Sequence, residues 1–261
     1  MRQSFILSVI LFVSLSVLRA ENVSKCIIIG SASQYEAVVD SLSAAFQRAD
    51  IEVETYCVSA RGIAYTADSL SRVVGAEGVG VVGLGLTGGV VAANICKANP
   101  SISWLVMIST LGVSGKRFEE RFMVAPTYIL DVPDSVVMSS GLRKQLRERK
   151  AEEGDMISIE LRRYNPEELL GSICCPVFAL TGVNDARLDW YENLSAMERY
   201  IPYSYQNKFK AYPFTGYMLL EDREYVPVWL GDASRSVVKN VNSQAINDVI
   251  DWIDEITDSQ R

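Results

Sequence analysis

Apolar and polar positions along the chain alternate between two rhythms. Residues 26–29 form a short β-branched run closed by Gly30-Ser31, which reads as a buried strand. Residues 35–49 follow with Val38, Val39, Leu42, Ala45 and Phe46 at helical spacing. The same exchange repeats downstream. Strands are predicted over 53–58, 78–86, 104–109, 177–181 and 208–212, and helices over 67–74, 88–97, 192–200 and 246–256. The last helix carries Ile246, Val249, Ile250, Ile253 and Ile256 on one face. Strand–helix alternation predicts a mostly parallel sheet with helices on both faces. The strands are apolar without strict alternation, as expected when both faces of a sheet are covered.

Two stretches depart from this rhythm. Residues 115–172 lie between the fourth and fifth strands and exceed an ordinary crossover. They carry charged helical runs such as 143–153, with prolines at 126, 133 and 166. They are expected to form a helical cap over the carboxyl edge of the sheet. At the N-terminus, Met1-Arg2 precedes an apolar run from Phe5 to Leu18, with Ala20 as a small residue suited to cleavage. This is a signal-peptide pattern over 1–20. The run is shorter than the roughly 20 residues that span a bilayer. An exported protein of the periplasm or extracellular space is expected, with no membrane span after cleavage.

Composition narrows the function classes. The full chain has 25 basic and 32 acidic residues. Removing 1–20 takes away Arg2 and Arg19, leaving 23 basic residues and a net charge of −9. An acidic domain repels nucleic acid, which excludes it as a partner. Histidine is absent and the five cysteines form no CxxC pair, so neither a metal nor another cofactor is expected. Cys26, Cys57 and Cys96 read as small buried hydrophobes. An oxidising compartment would permit a disulfide among the five, and the odd count leaves at least one thiol unpaired within the chain.

The segment with the most chemical content is 81–93, in which a strand enters a Gly-rich turn and then a small-residue helix. Gly83-Leu84-Gly85-Leu86-Thr87-Gly88 has G-x-G-x-x-G spacing, which would make the chain a nucleotide-binding oxidoreductase. That motif belongs after the first strand of its unit, with an acidic residue on the next strand. Here it follows the third strand, and 99–109 contains no acidic residue. The other device of this shape is the nucleophile elbow.

Several blocks resemble the α/β-hydrolase superfamily, in particular secreted bacterial esterase- or peptidase-like members with a cap. Tyr56-Cys57-Val58-Ser59-Ala60-Arg61-Gly62-Ile63 resembles that family's "D-x-R-G-x-G" turn. Leu84-Gly85-Leu86-Thr87-Gly88-Gly89 resembles its "G-H-S-x-G-G" elbow. Tyr164-Asn165-Pro166 and the run from Cys175-Pro176-Val177 to Asn184-Asp185 resemble its "Y-[ND]-P … C-P-V-L-A-L-x-G-x-x-D" block. The resemblance spans roughly 25–256. It implies an α/β-hydrolase fold and places the triad acid at Asp185 and the nucleophile at Leu86, or at Thr87 with a shift of one residue. Tyr212-Pro213-Phe214-Thr215-Gly216-Tyr217 resembles "Y-P-G-x-N-H", which puts Tyr217 in the place of the histidine. The oxyanion donors would be backbone amides at Thr87 and in the loop holding Ser31.

A hydroxyl becomes a nucleophile only when a base removes its proton. Tyrosine, with an ordinary pKa near 10, stays protonated at neutral pH. Leucine has no nucleophilic atom, and without an imidazole Asp185 has nothing to orient. The expectation is therefore a non-catalytic relative with a small-molecule or envelope partner. A hydrolase of esters or small peptides using Thr87 is the competing reading.

Overall fold

The computed structural model describes residues 25–30, 36–74, 78–118, 156–185, 187–222 and 240–259. Six strands pair in parallel in the order β2-β1-β3-β4-β5-β6. They are β1 (Lys25–Gly30), β2 (Glu52–Cys57), β3 (Val79–Leu84), β4 (Trp104–Ile108), β5 (Val177–Gly182) and β6 (Lys208–Tyr212). Every described strand pair is parallel, so the expected mostly parallel sheet is wholly parallel here. The strands β3, β4 and β5 are buried along their whole length, while the outer β2 has only exposed and half-buried residues.

Successive strand side chains point to opposite faces, and the core divides accordingly. Ile27, Ile29, Val81, Leu105, Met107 and Ala179 lie on one face. Cys26, Ile28, Val82, Trp104, Val106 and Phe178 lie on the other. The second face is covered by α1 (Glu36–Arg48) and α7 (Ser243–Asp258). The first is covered by α2 (Ile63–Ser71), α3 (Gly85–Ala98), α5 (Pro166–Leu170) and α6 (Trp190–Tyr200). Aromatic rings thread the second face: Phe46 stacks on Trp104 at 6.0 Å between centroids, and Trp104 meets Trp252 edge-on at 6.5 Å.

The elements begin and end where caps and turns dictate. The helix expected over 67–74 occupies Ile63–Ser71 instead. It starts after Gly62, and its first amides are bonded by a carboxylate distant in sequence. Glu160, on α4 (Met156–Arg163), accepts from the Ile63 amide and, at 3.3 Å, from the Ala64 amide. Hydrophobic spacing carries no trace of that partner. Helix α6 starts at Trp190 because the Asp189 carboxylate accepts from the Glu192 amide at 2.8 Å, an N-cap bond. Asn242 caps α7 in the same way through the Ala245 amide.

Of the segment expected as a cap, 119–155 lies outside the described residues, as does the expected signal peptide over 1–20. Within the described part, α4 lies against α2, and α5 packs beside α3 and α6 in the helix layer. Tyr164, between α4 and α5, is buried and donates its hydroxyl to the Leu111 carbonyl at 2.9 Å. Among the described residues no helix is long and apolar enough to cross a membrane.

Candidate functional site

In a parallel sheet the carboxyl ends of the strands face one edge, and ligands gather there. Four segments converge at that edge: the β3–α3 turn, the residues after β4, the turn after β5 and the loop after β6. Register fixes the neighbours, with Leu84 opposite Ile108 and Ile108 opposite Leu180. The next residue along each strand is Gly85, Ser109 and Thr181 respectively.

The β3–α3 turn is abrupt. Leu84 is still extended (φ −102°, ψ 125°) and is followed at once by helix. The left-handed backbone conformation falls on Gly85, with φ +69°. Only glycine adopts such a φ without a steric penalty. Leu86 and Thr87 already belong to the first turn of α3 and are half-buried, with Leu86 packed against the core of the first face. The left-handed tip of the turn is thus Gly85, one residue before Leu86 and two before Thr87. The amide that follows the tip is that of Leu86, where the resemblance placed it at Thr87. Behind the tip, α3 lies very close to the sheet. A Cβ on Gly89 would stand 2.0 Å from Thr110 Oγ1, and one on Gly88 would stand 2.3 Å from the Ile29 carbonyl oxygen. The small residues that gave this helix its sequence signature are therefore required by packing. The G-x-G-x-x-G spacing includes Gly88 for that reason. Ser31, the other residue expected to supply an oxyanion amide, lies outside the described residues.

Asp185 stands in the turn after β5 and is 2% exposed. One carboxylate oxygen accepts from the Arg187 amide at 2.8 Å and the Leu188 amide at 3.2 Å. The other accepts from the Thr181 hydroxyl at 3.4 Å. Ser109 adds a further side-chain hydrogen bond. Burial pushes the carboxyl up to about 6, against the pull of the two amides, Ser109 and the Arg187 charge. Ser109 is itself fully buried, with φ +49°, and its Oγ accepts from the Met218 amide at 3.1 Å. A chain of contacts thus runs from the loop after β6, through the end of β4, to the acid after β5.

The residue that reaches this chain from the last loop is Met218, through its backbone. Its side chain turns into the core of the second face, and its φ is +59°. Tyr217 precedes it in a short 3₁₀ turn, and the Arg187 guanidinium lies 4.2 Å above its ring. The structure therefore brings Asp185 together with Ser109, Thr181 and the Met218 amide. Sequence reasoning placed Ser109 only at the end of the strand expected over 104–109 and gave it no part in the site. The available signal was its place as the first polar residue after the fully apolar strand 104–108.

Other polar groups nearby have structural duties. Asp189 is the N-cap of α6. Asn193 is buried and locks α6 to the end of β4: its Nδ2 donates to the Thr110 carbonyl, and its Oδ1 accepts from the Gly112 amide at 2.6 Å. Between α6 and the last loop, Tyr203 and Tyr205 are exposed while Tyr212 is buried and donates to Asp248 at 2.6 Å. Cys26 and Cys96 are buried as expected, but Cys57 is exposed. It ends the outer strand β2, none of whose residues is fully buried. Among the described residues no group of three or more His, Cys, Asp or Glu side chains is placed to hold a metal ion.

No family model matches the chain, and no curated protein does. Solved structures do match. A carboxylesterase structure from the ammonia-oxidizing thaumarchaeon Nitrososphaera gargenis is 12% identical with a TM-score of 0.57, covering 92% of this chain and 93% of that one. The monoacylglycerol lipase of Paleococcus ferrophilus is 12% identical with a TM-score of 0.57, covering 89% and 94%. A bromoperoxidase from Bacillus anthracis is 12% identical with a TM-score of 0.53, covering 90% and 93%.

Proposed function

We propose that this chain, which has the α/β-hydrolase fold, is an exported, non-catalytic binding or scaffold protein of the cell envelope. The observation that carries the proposal is the tip of the β3–α3 turn. In an elbow the residue at the tip of the turn projects the nucleophile, and here the residue at the left-handed tip is Gly85, which has no side chain.

The surrounding chemistry agrees. The chain contains no histidine, so no imidazole can take a proton from a hydroxyl. Thr87 lies two residues inside α3. Asp185 is held by backbone amides and by the hydroxyls of Ser109 and Thr181. The carboxylate retains its place and its orientation while its partner in a triad is absent, and it serves as the fixed centre of a polar cluster under the carboxyl edge of the sheet. That edge then presents a small-molecule or protein-binding surface. The export reading rests on the leader pattern over 1–20.

The test is to treat the purified protein with a fluorophosphonate probe and a panel of short acyl esters, beside an active serine hydrolase. Neither labelling nor turnover is expected. Labelling that disappears in Thr87→Ala would establish a working hydroxyl nucleophile and overturn the proposal. Export is checked by fractionating producing cells, with the chain shortened at its N-terminus and found outside the cytoplasm. A full-length chain retained in the cytoplasm would overturn that part.

A further inference from the structure

Among the described residues every arginine is exposed except one, Arg187, which is half-buried. It lies in the turn after β5, at the carboxyl edge of the sheet, and its backbone amide is fixed by the Asp185 carboxylate. Its guanidinium stands 4.2 Å over the ring of Tyr217, itself half-buried in the loop after β6. The more exposed Arg72 and Arg117 pair with Asp68 and Glu192. Arg187 is in no ion pair among the described residues. Asp185 acts on it through space, but the oxygens of that carboxylate accept from the Arg187 and Leu188 amides and the Thr181 hydroxyl. A cation partly withdrawn from water calls for an anion beside it. In a chain with 32 acidic and 25 basic residues, a shortage of acids does not explain why this arginine lacks one.

We propose that Arg187, braced by Tyr217, recognises a carboxylate-bearing small molecule at the carboxyl edge of the sheet. The proposal rests on the reading of that edge as a binding surface and names the class of ligand. A guanidinium stacked on a ring keeps its N–H donors in its own plane, and two of them can meet both oxygens of a carboxylate. Stacking also restricts the side chain before binding, so less ordering is left for the ligand to impose. Tyr217 stands where the resemblance places the histidine, so the position of a proton acceptor holds the platform for a cation.

Charge decides between a carboxylate and a phosphate. Asp185 lies in the same turn and Asp189 caps α6 just beyond it. Asp222 lies further along the loop that carries Tyr217, and its carbonyl accepts from the Asn184 side chain at 2.7 Å. These acids repel a phosphate dianion about twice as strongly as a carboxylate monoanion. Arg61 provides the contrast. It also lies over a tyrosine ring, that of Tyr65, but it is exposed and donates to the Tyr65 hydroxyl at 2.9 Å.

The experiment is titration of the purified full-length protein with hexanoate, followed by NMR at the arginine Nε–H signals, with hexanamide as the neutral counterpart and inorganic phosphate as the competing anion. Hexanoate should move the Arg187 signal and leave that of Arg61 in place, with a Kd on the order of 1 mM. Hexanamide and phosphate should bind more weakly. Arg187→Gln and Arg187→Lys should each weaken hexanoate binding about 10-fold or more, the second because it keeps the charge without the planar fork. Tyr217→Phe should keep the affinity and Tyr217→Leu should lower it. Hexanamide binding as tightly as hexanoate, or Arg187→Gln retaining the affinity, would overturn the proposal while leaving the edge a binding surface. Phosphate binding more tightly than hexanoate, or no response to hexanoate at Arg187, would also overturn it. The Arg187 signal of the unsubstituted protein decides the matter even if a variant fails to fold.

Discussion

Asp185 offers the sharpest test of how the site is built. Its carboxyl titrates near 6 in the folded protein, against an ordinary value of 3.8, and burial is the main cause. The sign follows from proton binding. Between pH 3.8 and 6 the folded state holds a proton that the unfolded chain has released, so stability falls as pH rises through that window. The displacement is about 2 units at 1.36 kcal/mol each, so ionised Asp185 lowers stability by about 3 kcal/mol above pH 6. Asp185→Asn removes the charge and keeps the shape. Its amide oxygen can accept from the Arg187 and Leu188 amides, and the hydroxyls of Ser109 and Thr181 can rotate to accept from its nitrogen. The variant is expected to be more stable than the parent by about 3 kcal/mol at pH 7.5, seen as a higher urea midpoint with an unchanged slope. The advantage should shrink through pH 6 to 4 and vanish below about pH 4. A variant less stable than the parent at pH 7.5, or a difference that does not change with pH, would show that the carboxylate's charge is compensated and that burial does not govern it. A stability gain at this position would also mean that the acid is held against a folding penalty.

The remaining predictions concern the joints between segments. Glu160→Ala should lower stability by about 1–2 kcal/mol and speed amide exchange at Ile63 and Ala64, because α2 loses its carboxylate cap. Asn193→Ala should lower stability by about 1–3 kcal/mol in denaturant unfolding, since the Gly112 amide and the Thr110 carbonyl are left without their partner. Gly89→Ala should cost about 1–3 kcal/mol in the same assay, because its Cβ would overlap Thr110 and push α3 off the sheet.

How much of this was legible in the sequence depends on the range of the interaction. Hydrophobic periodicity is local, and it located all six described strands and the helices α1, α2, α3, α6 and α7 to within a few residues, while α4 and α5 fall in the segment expected as a cap. The unbroken apolar runs of β1, β3, β4 and β5 also foretold a sheet covered on both faces. The resemblance placed the acid at Asp185, where the structure finds a buried, hydrogen-bonded carboxylate. Motif spacing could not settle the tip of the β3–α3 turn, because several residues of a Gly-rich run are conformationally permissive. The sign of φ at Gly85 emerges only once strand and helix are packed together. Nor could it join Ser109 to Asp185 and Met218, or cap α2 with Glu160. Each of these pairs is far apart in the chain and is brought together by strand order and helix packing. One chain's residue types determine its secondary structure and its lack of an imidazole; the contacts that decide what the site's remaining groups do belong to the tertiary fold.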